Sequence, residues 1–198
     1  MKQVRVKFVK KFEGIAFILT VSVALILPIS NPAYSIADSA DKGELSKITL
    51  PVGLDDKDIV LTVTGKIGKT PTARFDLKTL ERFPKKSFLT YDPWDEQERE
   101  YEGFLLSDLF RFLEIDPSAT RIEVHARNDY KAMISVKDVD RIGYLLAYRM
   151  DGKYFHELGG KLDKGPLCVA IDFATHKDID MTVYKQNQVW WVDIITVR

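Results

Sequence analysis

Cysteine is almost missing from this chain: Cys168 is the only one in 198 residues. An internal disulfide is therefore excluded, and stability has to come from a buried core. Excess charge is missing as well, with 29 Lys and Arg against 29 Asp and Glu, so the chain has no electrostatic footprint for nucleic acid or anionic lipid. Histidine is scarce. His125, His156 and His176 do not fall at metal-ligand spacing, which predicts solvated surface positions for all three. No Gly-rich phosphate loop, no hydrolase nucleophile elbow, no internal repeat and no low-complexity tract occurs.

Long apolar runs are limited to one. Lys2, Arg5, Lys7, Lys10 and Lys11 precede Gly14, after which residues 15–29 (IAFILTVSVALILPI) are apolar or small up to the break at Pro28. A charged start followed by an apolar stretch is the order of a secretory signal. Ala33-x-Ser35 and Ser35-x-Ala37 put small residues at the two positions a signal peptidase reads, predicting cleavage after Ser35 or Ala37 and a periplasmic protein. An uncleaved anchor is the alternative, but fifteen helical residues span about 22 Å against the ~30 Å of a bilayer core. Cleavage removes five basic residues and Glu13, leaving 24 basic against 28 acidic residues, a net charge of −4.

Residues 38–57 read as a polar, poorly ordered leader, and the folded domain is expected over 58–198. Ile59, Leu61, Val63, Gly65 and Ile67 alternate with Val60, Thr62, Thr64 and Lys66, the period of a half-buried strand. Asp76 is placed to cap a short helix, Leu77 to Phe83, that Pro84 ends. A second helix is predicted over about 105–113, burying Leu106, Leu109, Phe110 and Leu113. Strands follow at 121–127 and 131–136 around the tip Asn128-Asp129-Tyr130. Others are predicted at 144–150, turned by Asp151-Gly152, at 167–173 and at 189–197. Many short strands with few helices indicate a single strand-rich α+β domain.

Cys168 sits in the apolar segment Leu167-Cys168-Val169-Ala170-Ile171, where a thiol acts as a small hydrophobe rather than a nucleophile. No catalytic residue and no metal ligand is assigned. Three places have ligand chemistry: Thr90-Tyr91-Asp92-Pro93-Trp94, read as a loop before the second helix; the tip Asn128-Asp129-Tyr130; and Trp190-Trp191 in the last strand. An aromatic plate with a donor and acceptor pair suits a flat heteroaromatic ligand, stacking on its face and hydrogen-bonding its edge. Taken singly, each is also ordinary turn or core chemistry.

The order of pieces resembles the molybdopterin-binding domain of the sulfite oxidase superfamily in a short exported form. The matching residues are Leu61-x-Val63-x-Gly65-x-Ile67, Phe75-Asp76-Leu77 with Leu80 and Pro84, Trp94, and Tyr101-x-Gly103 before Leu106 and Leu109. They continue with Ala126-x-Asn128-Asp129-Tyr130, Ala147 before Asp151-Gly152, Gly165-Pro166-Leu167, and Trp190 before Ile195-x-Val197. The resemblance covers residues 59–197. Catalytic members hold molybdenum through a cysteine, and Thr90 stands at that place; a neutral hydroxyl does not replace a soft thiolate. The chain is also too short for the dimerisation domain of the larger oxidases.

The resemblance thus implies an unmetallated pterin-binding protein. It would report its ligand to the periplasmic domain of a membrane sensor, such as a cyclic-di-GMP enzyme or a histidine kinase. Thr90, Trp94, Asn128, Asp129, Tyr130 and Trp190 would bind the pterin, with Asn128 and Asp129 on its pyrimidine edge. The alternative is a molybdopterin-dependent oxidoreductase of the sulfite oxidase family. One expectation needs only the N-terminus: intact-mass analysis of the exported protein should find a chain beginning at Ile36 or Asp38, and a full-length mass in membranes would instead establish the anchored form.

Overall fold

The computed structural model describes residues 42–198; the expected export signal and the start of the expected leader lie outside them. Ten strands form among the described residues: β1 Leu61–Gly65, β2 Thr72–Phe75, β3 Lys86–Asp92, β4 Gln97–Leu105, β5 Arg121–Ala126, β6 Lys131–Ser135, β7 Leu145–Met150, β8 Lys153–Tyr154, β9 Cys168–Ala170 and β10 Val192–Val197. They make two sheets. One has the order β2-β1-β10-β5-β6; the other runs β3-β4-β7-β8, with β9 pairing against β7. Pairing is antiparallel throughout except between β1 and β10. Short helices fill the connections: α1 Lys42–Leu45, α2 Leu77–Leu80 and α3 Leu106–Leu113. The expected mixed α+β class is what the structure has.

Local chemistry accounts for most elements. Leu61 and Val63 of β1 are buried while Thr62 and Thr64 are half-covered. Asp76 caps α2 by accepting from the Thr79 backbone N–H at 2.9 Å, and this bond holds its carboxyl below the usual range. In α3 the apolar stripe is buried as predicted, and the helix stops where Glu114 turns left-handed at φ 54°. Asp151 and Gly152 both have positive φ, 53° and 76°, which joins β7 to β8 in the two-residue turn expected of Asp-Gly. At Gly103 the register between β4 and β7 shifts, and a Cβ there would lie 2.2 Å from the Leu146 carbonyl oxygen. Only glycine allows that approach.

β7 divides the interior because it is buried on both faces. On one side Leu146 and Tyr148 join the main core with α3 and the Phe75, Phe83, Phe104 and Phe112 cluster, in which Phe83 stacks on Phe104 at 4.7 Å. On the other side Leu145, Ala147 and Met150 form a smaller core with Tyr101, Phe155, Cys168 and Ala170, and Trp190 packs against it. Cys168 is buried there as expected, and burial pushes its thiol well above the ordinary value.

The structure departs from the sequence expectation in four places. Residues 90–92 are not loop but the end of β3, an edge strand whose hairpin partner β4 carries Glu98, Arg99, Glu100 and Glu102. These charges hide the period-two signal. Trp190 and Trp191 precede β10 instead of lying in it. The described part of the leader is also ordered: Leu45 and Ile48 are buried in the main core, and the Arg82 guanidinium donates to the Lys47 carbonyl at 2.6 Å. Two apolar residues three apart suffice to dock a short helical turn even within a polar segment. Finally, His125 is half-buried rather than fully solvated, because β5 pairs with β10 and places Asp193 Oδ1 2.7 Å from its Nδ1.

Ile48→Ala should therefore lower the unfolding free energy by about 2 kcal/mol, the low end of the range for such truncations. Urea unfolding of the mature protein measures this, and an unchanged midpoint would mean that the leader does not contribute to the core.

Candidate ligand-binding site

A cavity of about 200 Å³ lies between three segments and is lined by Trp94, Asn128, Tyr130, Gln188 and Trp190. Each segment is held by its own turn chemistry. Trp94 sits in the β3–β4 turn, where Asp92 Oδ1 accepts from the backbone N–H of Trp94 at 2.8 Å and of Asp95 at 3.1 Å. Asn128 and Tyr130 sit on the β5–β6 turn. There Asn128 Oδ1 accepts from the Tyr130 N–H at 3.2 Å, and the Tyr130 hydroxyl donates to the Gln186 carbonyl at 2.8 Å, tying this wall to the third.

Gln188 and Trp190 stand on the approach to β10. The next residue, Trp191, has φ 53°, a strained conformation for a bulky side chain that costs on the order of 1 to 3 kcal/mol. Three bonds hold it: its backbone N–H donates to the Lys164 carbonyl and its indole Nε1 to the Asp163 carbonyl, both at 2.9 Å, and its carbonyl accepts from the Arg127 N–H at 3.0 Å.

Below Trp190 lies a buried ionic cluster. Lys164 is fully enclosed. Its ammonium donates to Asp92 Oδ2 at 2.6 Å, Asp95 Oδ2 at 2.9 Å and the Tyr101 hydroxyl oxygen at 3.2 Å, and it stands 4.8 Å from the centre of the Trp190 ring. Tyr101 in turn donates to Asp92 Oδ2. Burial raises the Asp92 carboxyl, but the bonds from Lys164 and Tyr101 more than offset it and leave Asp92 below its ordinary 3.8. Burial drives the Tyr101 phenol far upward, so it remains a donor. Arg99 completes the charge balance, reaching Asp95 at 3.3 Å and Asp151 at 2.9 Å.

Four of the six residues expected to bind ligand, Trp94, Asn128, Tyr130 and Trp190, line one cavity although they come from positions 94 to 190 of the chain. Two do not. The Asp129 side chain is 97% exposed at the turn tip, 3.6 Å from His125, and Thr90 is buried with its Oγ1 accepting from the Phe173 N–H at 2.9 Å. Asp129 takes the left-handed conformation at its tip, with φ 65°, and Thr90 lies on the buried face of β3. Sequence reasoning missed Gln188, Lys164 and Asp95, and marked Asp92 only as part of its segment. The adjacent amides Gln186-Asn187-Gln188 beside Trp190 were a usable signal for the first; nothing local marks a lysine destined for burial.

A molybdenum centre of the kind the alternative oxidoreductase reading requires does not fit these residues. Cys168 is the sole thiol, is enclosed in the smaller core and is held protonated, while the Thr90 hydroxyl is engaged by backbone.

Among known proteins, no family model and no curated protein matches the chain. Its fold does match a solved structure, the sulfane dehydrogenase SoxCD from Paracoccus pantotrophus, with a TM-score of 0.54 and 16% identity. The match covers 74% of this chain and 39% of that one, so the chain spans well under half the length of its neighbour. At this identity the likeness establishes a shared fold.

Lys164→Met should destabilise the protein by about 3 to 5 kcal/mol, because it leaves the buried Asp92 carboxylate without its counter-ion. A carboxyl depressed in the folded state stabilises above its unfolded pKa, and that stability is lost as pH falls through the folded value. Wild-type stability should accordingly drop as pH is lowered from about 4, and Asp92→Asn should show a smaller drop over the same interval in acid titrations followed by tryptophan fluorescence.

Proposed function

We propose that this chain is an exported, non-enzymatic receptor for a flat heteroaromatic ligand of the pterin class. The observation that carries the proposal is the cavity itself, in which Trp94 and Trp190 meet at an interplanar angle of 80° with ring centroids 5.9 Å apart. Two aromatic walls near a right angle offer a face to stack on and a wall across the ligand's edge, and Asn128 and Gln188 add amide groups for in-plane hydrogen bonds. The volume is below the ~300 to 1,000 Å³ of pockets for drug-sized molecules, which suits a one- or two-ring plate.

The absence of a fitting thiolate ligand favours binding over oxidoreductase chemistry. Reporting then has to occur by contact with another protein. Trp94 and Tyr130 are exposed at the rim, so a bound plate alters the surface a partner meets, and a ligand shifts such an equilibrium only through its differential affinity for the two states. The partner consistent with export is the periplasmic domain of a membrane-bound signalling enzyme.

Mass spectrometry of protein isolated from the periplasm should find a co-purifying pterin without stoichiometric molybdenum; stoichiometric metal would return the oxidoreductase reading to the front. In calorimetry, Asn128→Ala should weaken pterin binding roughly ten- to a hundredfold, whereas Asp129→Ala, outside the cavity, should stay within about threefold of wild type, a difference small on the affinity scale. The reverse order would move the site to the outer side of the turn.

A further inference from the structure

Polar groups around the cavity divide into two sets. Those behind its walls are paired: Asn187 Nδ2 donates to the Tyr144 hydroxyl at 2.8 Å, and Trp191 Nε1 donates to the Asp163 carbonyl at 2.9 Å. Their neighbours in the cavity wall are not. Gln188 is 5% exposed and its Oε1 is buried without a hydrogen-bond partner among the described residues, and the same holds for Trp190 Nε1. One orphan is an acceptor and the other a donor. Buried polar groups in folded proteins are overwhelmingly paired, and leaving one unpaired is destabilising. Two orphans of complementary kind, two residues apart on one wall of an aromatic cavity, are the arrangement of a site whose partners arrive with its ligand.

We propose that Gln188 is the specificity-determining residue of the cavity, accepting from a ring N–H of the ligand while Trp190 Nε1 donates to an acceptor on the same edge. This rests on the cavity being a ligand site, and it narrows the ligand class to planar heterocycles with an adjacent N–H donor and acceptor, the edge of a cyclic amide or cyclic amidine. Flat aromatics without such an edge stack equally well but leave both groups unpaired. Sites built to bond a polar group reject analogues lacking it far more strongly than apolar pockets reject a change of size.

The test compares two fused bicycles of similar size: lumazine, which carries cyclic amide edges, and quinoxaline, which has no N–H. Calorimetry on the mature wild-type protein should show lumazine binding at least about tenfold more tightly, the difference expected from one paired buried hydrogen bond. Gln188→Met should bring the two compounds to within about threefold by weakening lumazine. It should also raise the melting temperature of the ligand-free protein by about 2 to 4 °C, because the orphan acceptor is gone. Gln188→Leu provides the same comparison with a different apolar shape. Equal binding of both compounds to wild type would overturn the role of Gln188 while leaving the aromatic cavity as a site. Retained discrimination in both variants, or a lowered melting temperature in both, would also overturn it. Binding of neither compound, nor of pterin, would overturn the ligand reading of the cavity altogether.

Discussion

The carboxylate of Asp92 serves two structures at once. Its Oδ1 folds the turn that presents Trp94, and its Oδ2 anchors Lys164 and Tyr101 in the interior. Lys164 then connects to the opposite wall, through its ammonium under the Trp190 ring and its carbonyl on the Trp191 backbone. The two tryptophans of the cavity are therefore coupled through one buried ion pair formed by residues 72 apart in sequence. A buried pair is weak evidence for net stability, because desolvation offsets much of the attraction. Its value here is geometric: it fixes the relation of two segments far apart in sequence, one carrying Trp94 and the other supporting Trp190.

The division of the interior by β7 places this cluster. The main core, with its aromatic group and α3, supplies most of the apolar burial. The smaller core behind β7 has Tyr101 and Cys168 and ends at Trp190, so the cavity lies at the margin of an apolar layer with the ionic cluster beneath it. A low-dielectric setting strengthens the bonds within that cluster and makes any unpaired polar group more costly. That contrast gives meaning to the paired and unpaired groups around the cavity, since neighbouring side chains on the same segment differ only in which side of the wall they occupy.

A fold shared with a much longer enzyme is not evidence of shared chemistry, because function resides in sites placed on folds. In this chain the side chains around the cavity are aromatic and amide groups, and the sole thiol lies in the smaller core. Stacking and hydrogen bonding are what such groups do well. The strain at Trp191 is consistent with this arrangement, because non-glycine residues with positive φ persist where the surroundings over-determine them and cluster at ligand sites.

Short-range physical chemistry made much of the architecture legible from sequence. Alternation announced β1, β5, β6 and β7, the Asp76 cap and the apolar stripe announced α2 and α3, and Asp151-Gly152 announced its turn. Each is a signal carried by residues within a few positions of one another. The same reasoning singled out Trp94, Asn128, Tyr130 and Trp190, since aromatics beside turn amides are visible locally. The hairpin of β3 and β4 was masked because its exposed face is charged, and the docking of Leu45 and Ile48 because polar neighbours surround them. Tertiary structure alone decided that Asp129 faces solvent and Gln188 the cavity, and that Lys164 is enclosed by Asp92, Asp95 and Tyr101. Whether a polar side chain is buried and paired depends on groups that arrive from distant parts of the chain, and no local pattern encodes that arrival.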